Sequence, residues 1–114
     1  MPLLRRRMVM KEAIGIQNLI DKSKLIYGLL DTKTAEVTTS RTDWMTTDFI
    51  PIDGTDNYEM YGFKRLRYFV GDSEKNYINQ WTGDSFLAQR LINGAYVRFT
   101  FPTTDAQTVV FRHT

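Results

Sequence analysis

The chain has 114 residues, of which 42% are hydrophobic and 25% are charged, and its formal net charge is +2. This length and composition predict one folded domain and exclude a disordered chain. Because there is no cysteine and the one histidine is His113, disulfides, thiolate catalysis and Cys/His zinc sites are excluded as well.

Residues 1–17 form a basic, apolar leader whose composition differs from the rest of the chain. The first twelve residues carry four bases and one acid, whereas the remaining 102 carry 11 bases and 12 acids. Arginine mixed with flexible apolar side chains is suited to docking in a groove of another protein, but termini are also often disordered, and both interpretations stay open. The candidate virion-docking residues are Leu3, Leu4, Arg5, Arg6, Arg7, Met8 and Met10.

The leader does not have the pattern of a targeting segment. Lys11 and Glu12 interrupt the apolar run at residues 8–10, so we expect no secretion signal. No stretch of the chain approaches the roughly 20 apolar residues of a membrane span. Since the body of the chain is nearly neutral, a basic nucleic-acid-binding patch is not expected either. We therefore expect neither a membrane nor a nucleic acid among the partners.

From residue 18 onward the chain has the pattern of a β protein. Short segments rich in aromatic and β-branched residues alternate with turn signals such as Asp53-Gly54 and Asn93-Gly94. Residues 95–101 alternate, with Ala95, Val97, Phe99 and Phe101 expected to point inward. Residues 108–112 are expected to pair with that strand, and residues 66–70 and 76–78 are expected to form a hairpin.

Helical periodicity is weak in comparison. Residues 11–19 fit two helical turns and residues 85–91 fit one or two. Short strands at regular turn spacing predict an all-β, antiparallel, jelly-roll-like β-sandwich of about eight strands, preceded by a short basic N-terminal leader. We thus expect the leader at residues 1–17 and the sandwich domain at residues 18–114.

Three separated motifs occur in order along the domain. Residues 18–52 open with Asn-Leu and lead through Trp44 to the run Thr-Asp-Phe-Ile-Pro-Ile; LRYFVGDSEKNYIN follows at residues 66–79, and NGAYVRFTF at residues 93–101. Together they resemble a β-sandwich module, jelly-roll or carbohydrate-binding-like, that is common in bacteriophage tail, baseplate and fibre proteins. The sequence departs from that module at residues 53–56, where a Pro-Gly turn is usual, and at the more helical SFLAQRL of residues 85–91.

The resemblance implies a structural virion protein in a fibre, tail or head appendage that acts by attachment or adhesion. Its implied partners are other virion proteins and further copies of itself, in a homo-oligomer such as a trimer. It would be made in the host bacterial cytoplasm and reside in the virion. The alternative is a carbohydrate-binding module that recognises a bacterial surface glycan.

Trp81 is the candidate glycan contact, together with Asn79 and Gln80, because an indole in a polar loop can stack on a sugar ring. The alternative is a tryptophan that folds back to cap the sandwich. Trp44 is expected in the core.

Asp48 and Arg98 form the candidate structural pair, since a guanidinium matches a carboxylate in bidentate geometry. Asp48 could instead accept backbone N–H groups, or bind a cation or a sugar hydroxyl. The acidic pairs Asp53/Asp56, Asp72/Glu74 and Asp43/Asp48 fall mostly in expected turns, where aspartate is common for its backbone hydrogen bonds. We therefore expect no enzyme activity, no catalytic residue, no metal and no cofactor.

Overall fold

A computed structural model describes residues 17–114 of the protein; the candidate docking residues and the leader up to residue 16 lie outside the described residues. The described part is an all-β, antiparallel fold, as the sequence predicts, with ten short strands and three single-turn 3-10 helices. A jelly-roll order of the strands stays a prediction. No helix in residues 17–114 is both long and apolar enough to cross a membrane.

The strands are β1 (Ile26–Tyr27), β2 (Leu29–Leu30), β3 (Val37–Thr38), β4 (Trp44–Thr46), β5 (Ile50–Pro51), β6 (Tyr58–Tyr61), β7 (Leu66–Gly71), β8 (Tyr77–Gly83), β9 (Tyr96–Pro102) and β10 (Val110–His113). The 3-10 helices are Lys22–Lys24, Ala88–Leu91 and Thr103–Asp105.

Six strands form one antiparallel sheet in the order β1-β4-β9-β7-β8, with β5 also paired to β9. Two ribbons of two strands each, β2–β3 and β6–β10, complete the fold. Because side chains alternate between the faces of a strand, the paired residues Tyr68 and Phe99 lie on one face of the sheet, and Phe69 lies on the other face beside Arg98. The fold therefore has a larger and a smaller core on opposite faces of the sheet.

The larger core involves the face that carries Tyr68 of β7 and Phe99 of β9, whose rings lie 5.3 Å apart. Phe111 of β10 packs on Phe99 at 4.8 Å, so the β6–β10 ribbon covers this face. Every large side chain buried here removes apolar surface from water at roughly 25 cal/mol per Å². The buried members are Ile20, Ile50, Tyr58, Met60, Leu66, Tyr68, Val70, Leu91, Val97, Phe99, Phe101, Ala106, Val109 and Phe111.

The smaller core lies on the other face, under the β2–β3 ribbon. Its buried members are Leu30, Ala35 and Phe69, with Val37 and Phe49 packed against them. Both faces of β9 are thus covered. Phe99 and Phe101 are buried on the larger-core face, and Thr100 between them is buried on the opposite face. The Thr100 hydroxyl stays hydrogen-bonded, donating to the Met45 carbonyl at 2.9 Å.

Several sequence predictions are confirmed. The β7–β8 hairpin forms across residues 72–76, Val97, Phe99 and Phe101 are fully buried, and Trp44 is buried in β4. The predicted alternation is less regular at Ala95, which is only partly buried and precedes β9. Pro51 ends β5, an edge strand paired only with β9 among the described residues, as expected for a residue without an N–H donor.

Two predictions of local structure are corrected. The last strand, β10, pairs with β6 and not with residues 95–101, because β9 already has β7 on one side and β4 and β5 on the other. The described end of the predicted helix at residues 11–19 is extended, with the Leu19 N–H bonded to the Phe111 carbonyl. The helical prediction at residues 85–91 is met only by the short Ala88–Leu91 turn.

Candidate functional site

Trp81, the predicted glycan contact, lies in β8 opposite Tyr68 of β7, on the face of the larger core. Its indole Nε1–H donates to the Ser85 carbonyl at 2.8 Å, and the Arg90 guanidinium lies 5.3 Å from its ring centre. The ring is partly buried against the core cluster. Trp81 thus has the geometry of a cap folded onto the sandwich, with its one donor engaged and one face covered by a cation.

Asn79 and Gln80 do not join Trp81 in a single polar pocket. Asn79 lies opposite Val70 and Gln80 opposite Phe69, so the side chains of these neighbours leave on opposite faces of the sheet. The Asn79 Oδ1 accepts from Arg90 at 3.2 Å, whereas Gln80 contacts Thr32 on the other side. The structure therefore brings together Trp81, Asn79 and Arg90, and separates Gln80 from them.

The predicted bidentate pair of Asp48 and Arg98 is not formed. The ion pairs within residues 17–114 do not include these two residues. The Arg98 guanidinium instead donates to the backbone carbonyls of Thr47, at 2.8 Å, and Ala35, at 2.9 Å. The Asp48 carboxylate accepts the Phe49 N–H at 2.9 Å, which agrees with the backbone-acceptor alternative.

The physical reason lies in the position of Arg98 on the smaller-core face. There the turn between β2 and β3 presents the Ala35 carbonyl, which needs a donor once it is covered. Burial lowers the pKa of Arg98, and the nearby negative charge of Asp48 opposes that effect. The guanidinium also lies 4.7 Å from the centre of the Phe49 ring. Arg98 is thus a structural clamp between the sheet and the β2–β3 ribbon.

Two of the acidic side chains that were candidates for an acid and a base, Asp53 and Asp72, accept hydrogen bonds within turns instead. Asp53 accepts the N–H and hydroxyl of Thr55, and Asp72 accepts the N–H groups of Glu74 and Asn76. These hydrogen bonds lower the pKa of both carboxyl groups. A carboxyl group that is held ionised in this way is a poor proton donor. No group of three or more metal-ligating side chains is arranged around a cation site in the described residues.

Sequence reasoning missed a groove on the smaller-core face, centred on Arg67 of β7. Two concave pockets, of about 420 Å³ and 250 Å³, share this residue. We call their joint surface the Arg67 groove. Its polar and aromatic lining consists of Asp31, Thr32, Lys33 and Thr38 on one side, and Trp44, Arg65, Thr82 and Asp84 on the other.

Arg67 is a free cation in this groove. Its guanidinium lies 5.1 Å from the centre of the Trp44 ring, and no side-chain hydrogen bond or ion pair within residues 17–114 engages it. The Trp44 side chain is only 6% exposed, and the Arg67 guanidinium packs over its buried ring. The five donors of a guanidinium are suited to bidentate hydrogen bonds with anions such as carboxylate and phosphate. The groove can therefore hold an anionic group beside threonine hydroxyls.

The feature of the sequence that could have indicated Arg67 as a site residue is its expected outward position in the strand of residues 66–70. The groove itself needs the turn at residues 31–34, which lies far away in sequence and arrives there through the β2–β3 ribbon. Comparisons of the chain with protein-family models, curated proteins and solved structures found no match.

Proposed function

We propose that this chain is a structural protein of a bacteriophage particle, in a fibre, tail or head appendage, and that it acts by attachment or adhesion. The placement on a particle rests on the motifs at residues 18–52, 66–79 and 93–101 and their resemblance to the phage β-sandwich module. The all-β antiparallel fold is of the kind that this resemblance implies. In this proposal the protein is made in the host bacterial cytoplasm and carried on the virion.

One observation favours contact over chemistry. Within their own turns Asp21 and Asp53 accept the hydroxyl and then the backbone N–H of Ser23 and Thr55, and these bonds lower the pKa of both carboxyl groups. Backbone N–H groups likewise lower the pKa of Asp31 and Asp72. The Arg67 groove offers cationic, carboxylate and hydroxyl side chains. Such groups recognise a ligand by charge and shape, as binding sites do.

The test is whether the protein co-purifies with particles. Phage particles from a strain that carries this gene are banded on a density gradient, and the chain is followed by mass spectrometry across the fractions. We expect it in the particle band at a fixed ratio to the capsid protein, also after a high-salt wash. Recovery only in the soluble fractions, with intact particles that lack the chain, would overturn the proposal.

The second candidate function is recognition of a bacterial surface glycan, and the Arg67 groove is the observation that favours it. Among residues 17–114 the Arg67 guanidinium has no ion-pair partner. Together with Lys33 and Arg65 it gives the groove three bases against the two acids Asp31 and Asp84, so it fits a saccharide with carboxylate or phosphate groups. A hydrogen bond to a charged group contributes about 1.5–3 kcal/mol. Loss of the Arg67 contact is therefore expected to weaken binding by roughly 10- to 100-fold.

A glycan array with wild-type protein, Arg67→Gln and Trp81→Ala tests this function. We expect acidic glycans to bind the wild type and to lose affinity with Arg67→Gln. Arg41→Gln is the matched control, because Arg41 is exposed and, among residues 17–114, pairs only with its neighbour Asp43. If acidic glycans do not bind the wild type, or if Arg41→Gln weakens binding as much as Arg67→Gln, the groove is not a glycan site.

A further inference from the structure

A pocket of about 460 Å³ lies near the Gly71 end of β7, whereas Arg67 stands at the beginning of that strand. One wall is the turn at residues 54–57, which follows β5, and the other consists of residues 88, 89, 92 and 93, which precede β9. The Ala95 N–H donates to the Gly71 carbonyl at 2.8 Å and so ties the second wall to the sheet. We call this surface the Asn93 pocket. Its volume is in the range of small-ligand sites.

Backbone contacts hold the two walls of the Asn93 pocket together. A Cβ at Gly54 would lie 2.6 Å from the backbone nitrogens of Asn93 and Gly94, so this approach requires glycine at position 54. Behind the first wall, the Tyr58 hydroxyl accepts the Asp53 N–H at 2.8 Å. Because the main chain makes these contacts, the shape of the pocket does not depend on the side chains that line it. The Asn93 pocket is therefore formed without a ligand.

Three carboxamide side chains line the Asn93 pocket, those of Asn57, Gln89 and Asn93. All three residues are exposed, and their carboxamides form no hydrogen bond with another residue of the described part of the chain. Each carboxamide offers an acceptor oxygen and two N–H donors. The fourth polar group is the Asp56 carboxylate, whose Oδ2 lies 3.5 Å from the His113 Nδ1. The walls thus present donors and acceptors side by side, and the lining residues include no lysine or arginine.

Ile92 supplies the apolar part of the Asn93 pocket. It is 58% exposed, the largest exposed fraction of any large hydrophobic residue in residues 17–114. Ala88 also lines the pocket and adds a second small apolar group. A ligand that covers Ile92 removes apolar surface from water, which favours binding. The groups present therefore suit a ligand that carries hydroxyls around an apolar face.

We propose that the Asn93 pocket binds a neutral sugar ring. A hydroxyl both donates and accepts a hydrogen bond, and a carboxamide does the same, so neighbouring ring hydroxyls pair with the carboxamides of the walls. The C–H face of the ring packs on Ile92. The Asp56 carboxylate accepts from hydroxyls and repels a negatively charged sugar. The Asn93 pocket thus differs in ligand class from the Arg67 groove, and the inference depends neither on that groove nor on the placement on a phage particle.

Amide chemical shifts of the full-length protein test the location. Glucose, galactose, mannose and N-acetylglucosamine are titrated separately into ¹⁵N-labelled protein. We expect at least one of these sugars to shift the amide signals of residues 54–57 and 88–94 to saturation, and to leave those of Lys33 and Arg67 in place. Added sodium chloride should not change the affinity, because the ligand carries no charge. No saturable shift at residues 54–57 and 88–94 with any of the four sugars would overturn the proposal.

Two variants test the carboxamides. Gln89→Ala removes one of them, and Asn93→Gly removes another while it keeps the left-handed backbone, where φ is 66°. Each lost hydrogen bond should weaken the affinity for the sugar about 2- to 10-fold. Gln107→Ala is the matched control, because Gln107 is exposed and lies outside the pocket. Dispersed amide spectra report that each variant is folded. Wild-type affinity in both pocket variants, or equal weakening by Gln107→Ala, would count against the carboxamides as ligands.

The outcomes separate this inference from the proposed functions. A chain that is found in particles but binds none of the four sugars refutes the Asn93 pocket alone. A chain that binds a neutral sugar at residues 54–57 and 88–94 but is missing from particles refutes the phage placement alone. Arg67→Gln should leave the affinity for the neutral sugar unchanged, whatever it does to acidic glycans.

Discussion

The Arg98 guanidinium donates to the Ala35 carbonyl at 2.9 Å and so joins the middle of the sheet to the turn between β2 and β3. Ala35 has a φ of 64°, a left-handed conformation that is unusual for a residue with a Cβ. It is buried, and its methyl group packs in the smaller core with Phe69. Arg98 therefore holds a strained turn against the sheet and so helps to form the wall of the Arg67 groove.

Arg98→Lys should destabilise the protein by about 2 kcal/mol, because an ammonium group cannot reproduce the fork that reaches both the Ala35 and the Thr47 carbonyls. The measurement is urea unfolding, with Arg41→Lys as the control. In the described part of the chain the Arg41 side chain bonds only Asp43, at the surface, and exposed pairs contribute less than about 1 kcal/mol. Equal losses in the two variants would contradict the role of Arg98 as a clamp.

A double-mutant cycle with Asp48→Ala and Arg98→Lys checks the correction to the predicted ion pair. Because the two side chains form no ion pair and Arg98 is bonded to carbonyls, we expect a coupling free energy below about 1 kcal/mol. A coupling of several kcal/mol would mean that the carboxylate and guanidinium pair in solution after all.

Asn18→Ala should loosen the attachment of the N-terminal segment to β10. The Asn18 Nδ2 donates to the Val109 carbonyl at 3.1 Å, and its Oδ1 accepts the N–H groups of Phe111 and Ile20. We expect a loss of about 2 kcal/mol and faster hydrogen exchange at the Phe111 and Ile20 amides. Asn18→Asp retains the acceptor and should protect those two amides better than alanine does; equal exchange in both variants would contradict this account.

The sequence predicts the parts of the fold that depend on local patterns. The hairpin of β7 and β8 follows from a short turn that contains Gly71 and Asp72, and the burial of Val97, Phe99 and Phe101 follows from their alternation. The partner of β10 was predicted wrongly because neighbours in sequence are only a guide to neighbours in a sheet. Which edges of β9 are already occupied depends on β4, β5 and β7, and this is a property of the whole fold.

In the candidate site, too, some features follow from local sequence patterns and others depend on the whole fold. That Arg67 points away from the larger core follows from strand periodicity, since Leu66 and Tyr68 on either side are fully buried. That Trp81 folds back onto the core depends on the chain that follows β8, which brings the Ser85 carbonyl to the indole N–H and Arg90 of the next 3-10 helix to the ring. Periodicity assigns a side chain to a face, but it does not say what covers that face.

Gly62→Ala should be strongly destabilising. Gly62 has a φ of 84°, and a Cβ there would lie 1.9 Å from the Thr108 carbonyl oxygen. Backbone strain alone costs about 1–3 kcal/mol, and relief of the overlap would also pull β6 away from the residues that lead into β10. Thr108→Val is the comparison, since it removes the bonds from the Thr108 hydroxyl to the Gly62 and Asp105 carbonyls without placing an atom between the two backbones. Thermal unfolding that ranks the two variants equal would contradict the close approach of the two backbones.

The Asp72 carboxylate should make the stability of the β7–β8 turn depend on acid pH. Its Oδ1 accepts the N–H groups of Asn76 and Glu74, each at 2.9 Å, and these bonds lower the pKa of Asp72 below its usual value of 3.8. The folded protein thus binds the Asp72 proton less readily than the unfolded chain does. The stabilisation is present in full above the unfolded pKa and is lost as the pH falls through the lower folded pKa.

The direct measurement is the carboxyl ¹³C chemical shift of Asp72 as a function of pH, for which we expect a midpoint below 3.8. Asp72→Asn keeps an acceptor oxygen but carries no charge, so its free energy of unfolding should fall less steeply than that of the wild type as the pH drops below about 4. The difference between the two proteins should therefore narrow toward low pH. A midpoint at or above 3.8, or a difference that widens in acid, would mean that the ionised carboxylate does not stabilise the turn that leads into β8.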